Sequence, residues 1–336
     1  MEDAAIEGIR ESPETTDLVK ASIFFGTYFP SIKTIFGLLI MTLAIINLRI
    51  SPPDKTDALR LLKSKFKKNK IGHAGTLDPM ATGILPVALG EATKTVPYIH
   101  EKNKTYLFTI KFGDQTDTDD ATGKIIKRSN KKPDINEIKS VLSNYIGPIK
   151  QIPPVYSAKK FKGVRSYKLA RNGIVPDMVK KEKIVKIEDI KLIKMDSDLE
   201  CTIEVTCGTG TYIRSISKHI GDKLDLCCHV TKIERTKYGP FNLKNILSID
   251  RLMQLNHDID TLDMIICPIE TVLDDILAVQ VNSFDANRLK NGSTITFRGK
   301  NKDPQSGRVI VKSADKLIAI CSLQEMQLQP VRVFNL

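Results

Sequence analysis

Apolar residues recur along this chain with two periods, and their succession predicts the fold class. Residues 105–112 alternate strictly, which puts Tyr106, Phe108, Ile110 and Phe112 on one face of a strand. Residues 201–207 alternate likewise through Cys201, Ile203, Val205 and Cys207, and residues 184–193 read as another strand. Residues 42–50 are mostly apolar and read as a buried strand, broken by Ser51-Pro52-Pro53-Asp54. Helical spacing occurs at residues 57–68, where Ala58, Leu61, Leu62 and Phe66 share a side, and at residues 136–145. It occurs again from about Thr211, where Ile213, Ile216, Ile220 and Leu224 share the inward side. Strands with intervening helices predict one α+β domain to about residue 265.

The texture changes at Cys267-Pro268. Short strands at residues 277–281, 293–297, 308–313, 317–321 and 331–334, separated by Gly292, Gly299 and Gly307, predict a small β-barrel-like module. The expected division is an extension outside the fold (1–40), a main domain (41–266) and a C-terminal module (267–336). Residues 22–50 are apolar enough to raise the question of a membrane segment. Pro30 and Lys33 interrupt them, however, and the uninterrupted run at 34–48 is 15 residues long, short of the roughly 20 that a spanning helix needs. The N-terminus is acidic, unlike a signal peptide. Met41 inside the run is a plausible start of the fold, and membrane association is not expected.

Charge adds a partner. The 336 residues carry 51 Lys and Arg against 39 Asp and Glu, for a net +12, and a hydrophobic fraction of 41% excludes wholesale disorder. Residues 1–40 contribute −3, so the remainder carries +15. A polyanion is the indicated partner. Six basic residues lie between Arg60 and Lys70, Lys63 and Lys67 among them, opposite the apolar side of their helix. A second run, QIPPVYSAKKFKGVRSYKLARNG (151–173), interleaves Lys159, Lys160 and Arg165 with Tyr156, Phe161 and Tyr167, a pattern that can follow a phosphate backbone and stack on bases. The six cysteines include no C-x-x-C pair, so a zinc site is not expected and a reduced, cytoplasmic setting is. The acidic loop FGDQTDTDDATGK (112–124) lacks the spacing of a calcium-binding loop.

The densest chemistry lies in KIGHAGTLDPMATGILPVALGEATK (70–94). Gly72, Gly75, Gly83 and Gly90 suggest a loop that needs positive φ or close backbone approach. Asp78 precedes Pro79, so it reads either as a helix N-cap, with proline at the first helical position, or as a catalytic carboxylate. His73 reads as a base or as a loop hydrogen-bonder.

This segment resembles the signature motif of the TruB family of tRNA pseudouridine synthases. KTYLFTIKFGDQTDTDDATG (104–123), the 151–173 block and CGTGTYIRSISKHIG (207–221) resemble that family's following blocks, in order. The tail from Pro268 resembles the small PUA-like domain of bacterial members. The resemblance covers about residues 41–336. It implies the pseudouridine synthase fold, with a mixed, mostly antiparallel sheet flanked by helices and a C-terminal PUA-like β-barrel. It also implies isomerisation of uridine 55 in the T-arm of tRNA. Matched by position, Asp78 corresponds to the catalytic aspartate, Tyr106 to the tyrosine stacked on the target base and Arg214 to the arginine paired with the aspartate. Tyr212 and Ile233 correspond to residues lining the base pocket, and His73 to a histidine that holds the extruded base. Lys63, Lys67, Lys159, Lys160 and Arg165 are expected phosphate contacts. The resemblance implies no cofactor, no nucleotide and no metal, and a monomer acting on tRNA. Two departures stand out. Arg49 occupies a place where a tyrosine is usual, and Glu234 one where a basic residue is usual. A non-catalytic RNA-binding protein on the same scaffold is the competing reading.

Overall fold

The computed structural model describes residues 45–50, 60–64, 66, 70–244, 246–254, 266–298 and 306–335. The expected extension at 1–40, the start at Met41, Lys67 and the turn at 51–54 lie outside these residues.

Eight strands form the main path of one sheet. They are β1 (Ile45–Ile50), β2 (Thr82–Leu89), β3 (Lys104–Phe112), β4 (Gly147–Gln151), β5 (Lys183–Ser197), β6 (Glu200–Cys207), β7 (Cys228–Tyr238) and β8 (Leu247–Ser248). Their order is β8-β1-β2-β7-β3-β6-β5-β4, and Ile71–His73, Phe241–Asn242 and Ile266–Cys267 pair alongside. The β1–β8 and β2–β7 pairings are parallel and the rest of the path is antiparallel, so the sheet is mixed and mostly antiparallel as expected.

The alternating residues of β3 point as their period predicts. Phe108, Ile110 and Phe112 are buried with Ile203 and Val205 of β6. Two helices cover this face, α1 (Ile135–Ser143) through Ile138 and Leu142, and α2 (Ile213–Leu224) through Ile213, Ile216 and Ile220. Each such side chain contributes about 1.5–3 kcal/mol on burial. Asp134 starts α1 by accepting the Asn136 and Glu137 amides. Asp225, in the left-handed region at φ 54°, ends α2.

Two of the longer strands escape the sequence reading. Residues 82–89 read as part of a glycine-rich loop, yet they form the buried strand β2. Gly83 and Pro86 disguise it. Gly83 is there because a Cβ would lie 2.3 Å from the Arg235 carbonyl oxygen, where β2 and β7 run parallel. The strand β7 itself was hidden by Lys232, Glu234 and Thr236, which interrupt its apolar pattern.

The C-terminal residues form a second, five-stranded sheet. Its strands are Leu277–Gln280, Ile295–Thr296, Gly307–Ser313, Lys316–Gln324 and Gln327–Val333, curled around Val309, Val311, Ala319 and Leu328. A helix, Ser283–Lys290, not evident in the sequence pattern, closes one side through Ala286 and Leu289. This is the PUA-like half-barrel. It joins the main sheet through a shared apolar cluster in which Ile310, Ile320 and Phe334 meet Ile45, Ile84, Tyr98 and Ile99.

Candidate active site

The loop between Ile71–His73 and β2 carries Asp78. Its backbone makes a tight turn in which the Ala81 amide donates to the Asp78 carbonyl at 2.9 Å, with Pro79 at the second position. No helix follows, so the capping reading of Asp78 fails, and the carboxylate is spent elsewhere.

It meets Arg214, in the first turn of α2. Arg214 Nε donates to Asp78 Oδ2 at 2.7 Å and Nη2 donates to Oδ1 at 2.9 Å. The remaining donors go to the Thr118 carbonyl (Nη1, 3.1 Å) and the Tyr156 carbonyl (Nη2, 3.1 Å). Asp120 Oδ2 stands 3.6 Å from Nη1. The guanidinium is 3% exposed and the Asp78 side chain 29%. The arginine is therefore sealed while the carboxylate keeps an open side. Burial works against the Arg214 charge, but Asp78, Asp120 and Asp119 outweigh it and raise its pKa. The carboxylate thus faces a permanent cation across a two-pronged contact.

Local chemistry fixes each partner. Tyr212 precedes α2, and Gln151 clamps it on both sides: Oε1 accepts the Tyr212 amide at 2.8 Å and Nε2 donates to its carbonyl at 3.1 Å. Ser215 Oγ donates to the Ile152 carbonyl at 2.7 Å, so the start of α2 cannot swing. Asp120 is buried and holds its own loop. It accepts from Thr118 Oγ1 at 2.8 Å, Thr122 Oγ1 at 2.6 Å and the Thr122 amide at 3.0 Å.

Tyr106 lies on β3 in register with Val205 and Arg235. It is half-buried against the apolar core, and burial raises its pKa while Arg235, which hydrogen-bonds it, pulls the other way. Asp78 is close enough to act on the titration of both Tyr106 and Tyr212. Burial first and the Asp78 charge second raise the Tyr212 pKa. Ile233 is buried in register with Phe108. Asp78, Arg214, Tyr106 and Tyr212 thus form one site.

The other expected residues are placed differently. His73 has a buried Nδ1 with no hydrogen-bond partner. Burial, then the Arg235 charge, lower its pKa. Lys160 and Arg165 pair across a short hairpin. Lys159 acts on Lys183, whose ammonium sits 5.1 Å over the Tyr212 ring, so this basic run reaches the rim of the site. Lys63 is exposed on a helical segment whose Leu62 packs with Leu85 and Val87, and no described contact ties it to Asp78.

Asp120, the Thr118 and Tyr156 carbonyls and Arg235 escaped the sequence reading. Asp120 was visible only as one acid in a turn-rich loop. Among the described residues no group of three or more His, Cys, Asp or Glu is arranged to hold a metal ion, and the six cysteines are free. No helix there is long and apolar enough to cross a membrane.

Comparisons with known proteins show the family. Residues 63–213 match the TruB family pseudouridylate synthase N-terminal domain, and residues 214–274 the tRNA pseudouridylate synthase B C-terminal domain. The chain is 39% identical over 285 residues to tRNA pseudouridine synthase B of Rhodopseudomonas palustris, covering 84% of this chain and 77% of that protein. It is 38% identical over 288 residues to the Caulobacter vibrioides protein of the same name, covering 84% and 92%. In fold it is similar to an H/ACA RNP bound to a substrate RNA containing 2′-deoxyuridine, with a TM-score of 0.68 and 20% identity over 88% of this chain and 86% of that one.

Proposed function

The chain belongs to the TruB family of pseudouridylate synthases, and from that premise we propose that it isomerises uridine 55 in the T-arm of tRNA to pseudouridine, with Asp78 as the catalytic carboxylate. The observation that carries this reading is the two-pronged contact between Arg214 and Asp78, which leaves one side of the carboxylate open. An ionised, oriented carboxylate is what either nucleophilic attack or proton abstraction at the sugar–base bond requires. In the reaction the bond from ribose C1′ to N1 breaks and one from C1′ to C5 forms. The C5 proton is lost and N1 gains one.

A stacked T-loop hides this bond, so the uridine must leave the stack. Tyr106 then covers the freed face of the base, Tyr212 and Ile233 line its edge, and His73 supports the loop that receives it. Lys159, Lys160 and Arg165 supply phosphate contacts beside Tyr212, and Lys63 a more distant one. Such contacts give salt-dependent affinity and leave sequence choice to the loop shape. The reading needs no cofactor, and it takes the working unit as a monomer in the cytoplasm.

The test is release of tritium from a T-arm hairpin carrying 5-tritiated uridine. The protein should release one equivalent from position 55, and Asp78→Asn should release none. Turnover by Asp78→Asn at the wild-type rate would overturn the role of the carboxylate.

A further inference from the structure

Gly75, three residues before Asp78, is gripped from two directions. Its amide donates to His100 Nε2 at 3.4 Å, and its carbonyl accepts from Arg235 Nη2 at 3.2 Å. Its φ is +67°, and a Cβ there would lie 3.1 Å from the Tyr238 hydroxyl and 3.3 Å from Arg235 Nη1. No other residue could sit in this slot without displacing its walls. Arg235 is itself fixed. It is fully buried, its Nε donates to the Ile84 carbonyl at 2.8 Å, and it lies 4.8 Å over the Tyr238 ring. His100 comes from the short helix Val96–Glu101, a different part of the chain.

We propose that His100 is a positioning residue for the reaction: as a neutral imidazole, protonated on Nδ1, it accepts the Gly75 amide and so sets the path of the loop that presents Asp78 to the uridine. The inference rests on the reading of Asp78 as the catalytic carboxylate. It assigns to His100 a part that an apolar residue of the same size could not play. An apolar side chain fills the space but leaves the Gly75 amide without an acceptor. A protonated imidazole turns a second N–H toward it.

The charged groups that face His100 are Lys104, His73 and Arg235, all potential cations. Lys104 Nζ also donates to the His100 carbonyl at 2.7 Å. Glu101, the next residue, is turned away to Arg308, whose Nη1 it accepts at 2.8 Å. Burial first, then these cations, keep the His100 pKa below its ordinary value. The acceptor form is therefore the resting form at neutral pH. It is lost as pH falls through the lowered pKa, and loop order and turnover fall with it.

The experiment uses the full chain and the tritiated T-arm hairpin, with kcat and KM measured from about pH 5.5 to about pH 8.5. His100→Leu removes the acceptor; His100→Gln keeps one that does not titrate in this range. At neutral pH His100→Leu should lose kcat by about 10- to 100-fold with KM changed less than about 3-fold, the split expected when a reacting group is misplaced. His100→Gln should recover most of that loss, and the acid limb of the wild-type kcat profile should be absent from it. His73 is present in all three proteins, so an acid limb that persists unchanged in His100→Gln overturns the proposal, as does wild-type kcat in His100→Leu. If His100→Leu fails to fold, the comparison of wild type with His100→Gln decides alone. An inactive wild type would sink the reading of the function instead, a separate outcome.

Discussion

The guanidinium of Arg214 meets the carboxylate of Asp78 edge to edge, with contacts of 2.7 and 2.9 Å. A lysine has the charge but not the fork. Arg214→Lys should therefore lower kcat by about 10²–10³-fold, the scale seen when a preorganised charge partner is lost. Binding of the T-arm hairpin should change far less. Single-turnover kinetics beside a filter-binding titration separate the two, and near-wild-type turnover would show that the fork is dispensable.

Asp120 supports the same arginine from behind. Its charge lies 3.6 Å from Arg214 Nη1, and its oxygens tie Thr118 and Thr122 into the loop that supplies the Thr118 carbonyl. Asp120→Asn keeps the shape and removes the charge. A fall in kcat of about 10-fold is expected, smaller than for Arg214→Lys because the direct contact survives. The double variant should be less than additive, and strict additivity would mean that the two residues act independently.

Gly83 tests the close crossing of two strands. Both Gly83 and Gly147 have φ +103°, but a Cβ at Gly83 would meet the Arg235 backbone at 2.3 Å whereas nothing lies within 4 Å of one at Gly147. Gly147→Ala measures backbone strain alone, about 1 kcal/mol. Gly83→Ala adds a clash with a backbone that cannot move away, and should cost about 3 kcal/mol or more. Urea unfolding of the two variants gives the difference directly. Equal losses would refute the crowding.

Lys104 gives a pH signature. It is 6% exposed, its ammonium lies 4.7 Å over the Tyr238 ring, and burial first, with Arg235 adding, lowers its pKa from 10.5 to about 8. The unfolded chain then holds this proton more tightly than the folded one. Stability should rise as pH climbs from about 8 to about 10.5, and below about 8 the buried charge costs on the order of 3 kcal/mol. Lys104→Met should flatten that rise. Lys183, also lowered to about 8 by burial and by Lys159, contributes equally to both proteins and drops out of the difference. Parallel curves for the two proteins would contradict the assignment.

Legibility varied with how local the cause was. The alternation through Phe108, Ile110 and Phe112 and the helical stripe Ile213, Ile216, Ile220 are set by burial on one face, and the sequence shows them plainly. The strand β2 was hidden because its composition answers to a crossing with Arg235, about 150 positions away, and not to its own period. Asp78 could be singled out by its loop, but its partner could not be found from spacing. Arg214 reaches it only after the sheet closes, and the motif resemblance supplied that pairing. Asp120 and His100 lacked even that help. Asp120 looked like any acid in a turn-rich loop, His100 drew no reading at all, and both take their place from contacts across the fold.

The seam between the two sheets bears on how the protein is made. Lys94 Nζ donates to the Val333 carbonyl, the Asn335 amide to Glu91, and Phe334 is wholly buried against residues of the first sheet. The segment so held joins β2 to β3, and with them the loop of Asp78 to Tyr106. During synthesis these contacts of the connector can form only after residues 333–335 have been made. Contacts of such long range are slow to form and leave apolar surface open meanwhile. The connector between β2 and β3 therefore takes its last contacts from the C-terminal sheet, and the two sheets depend on each other for a closed seam.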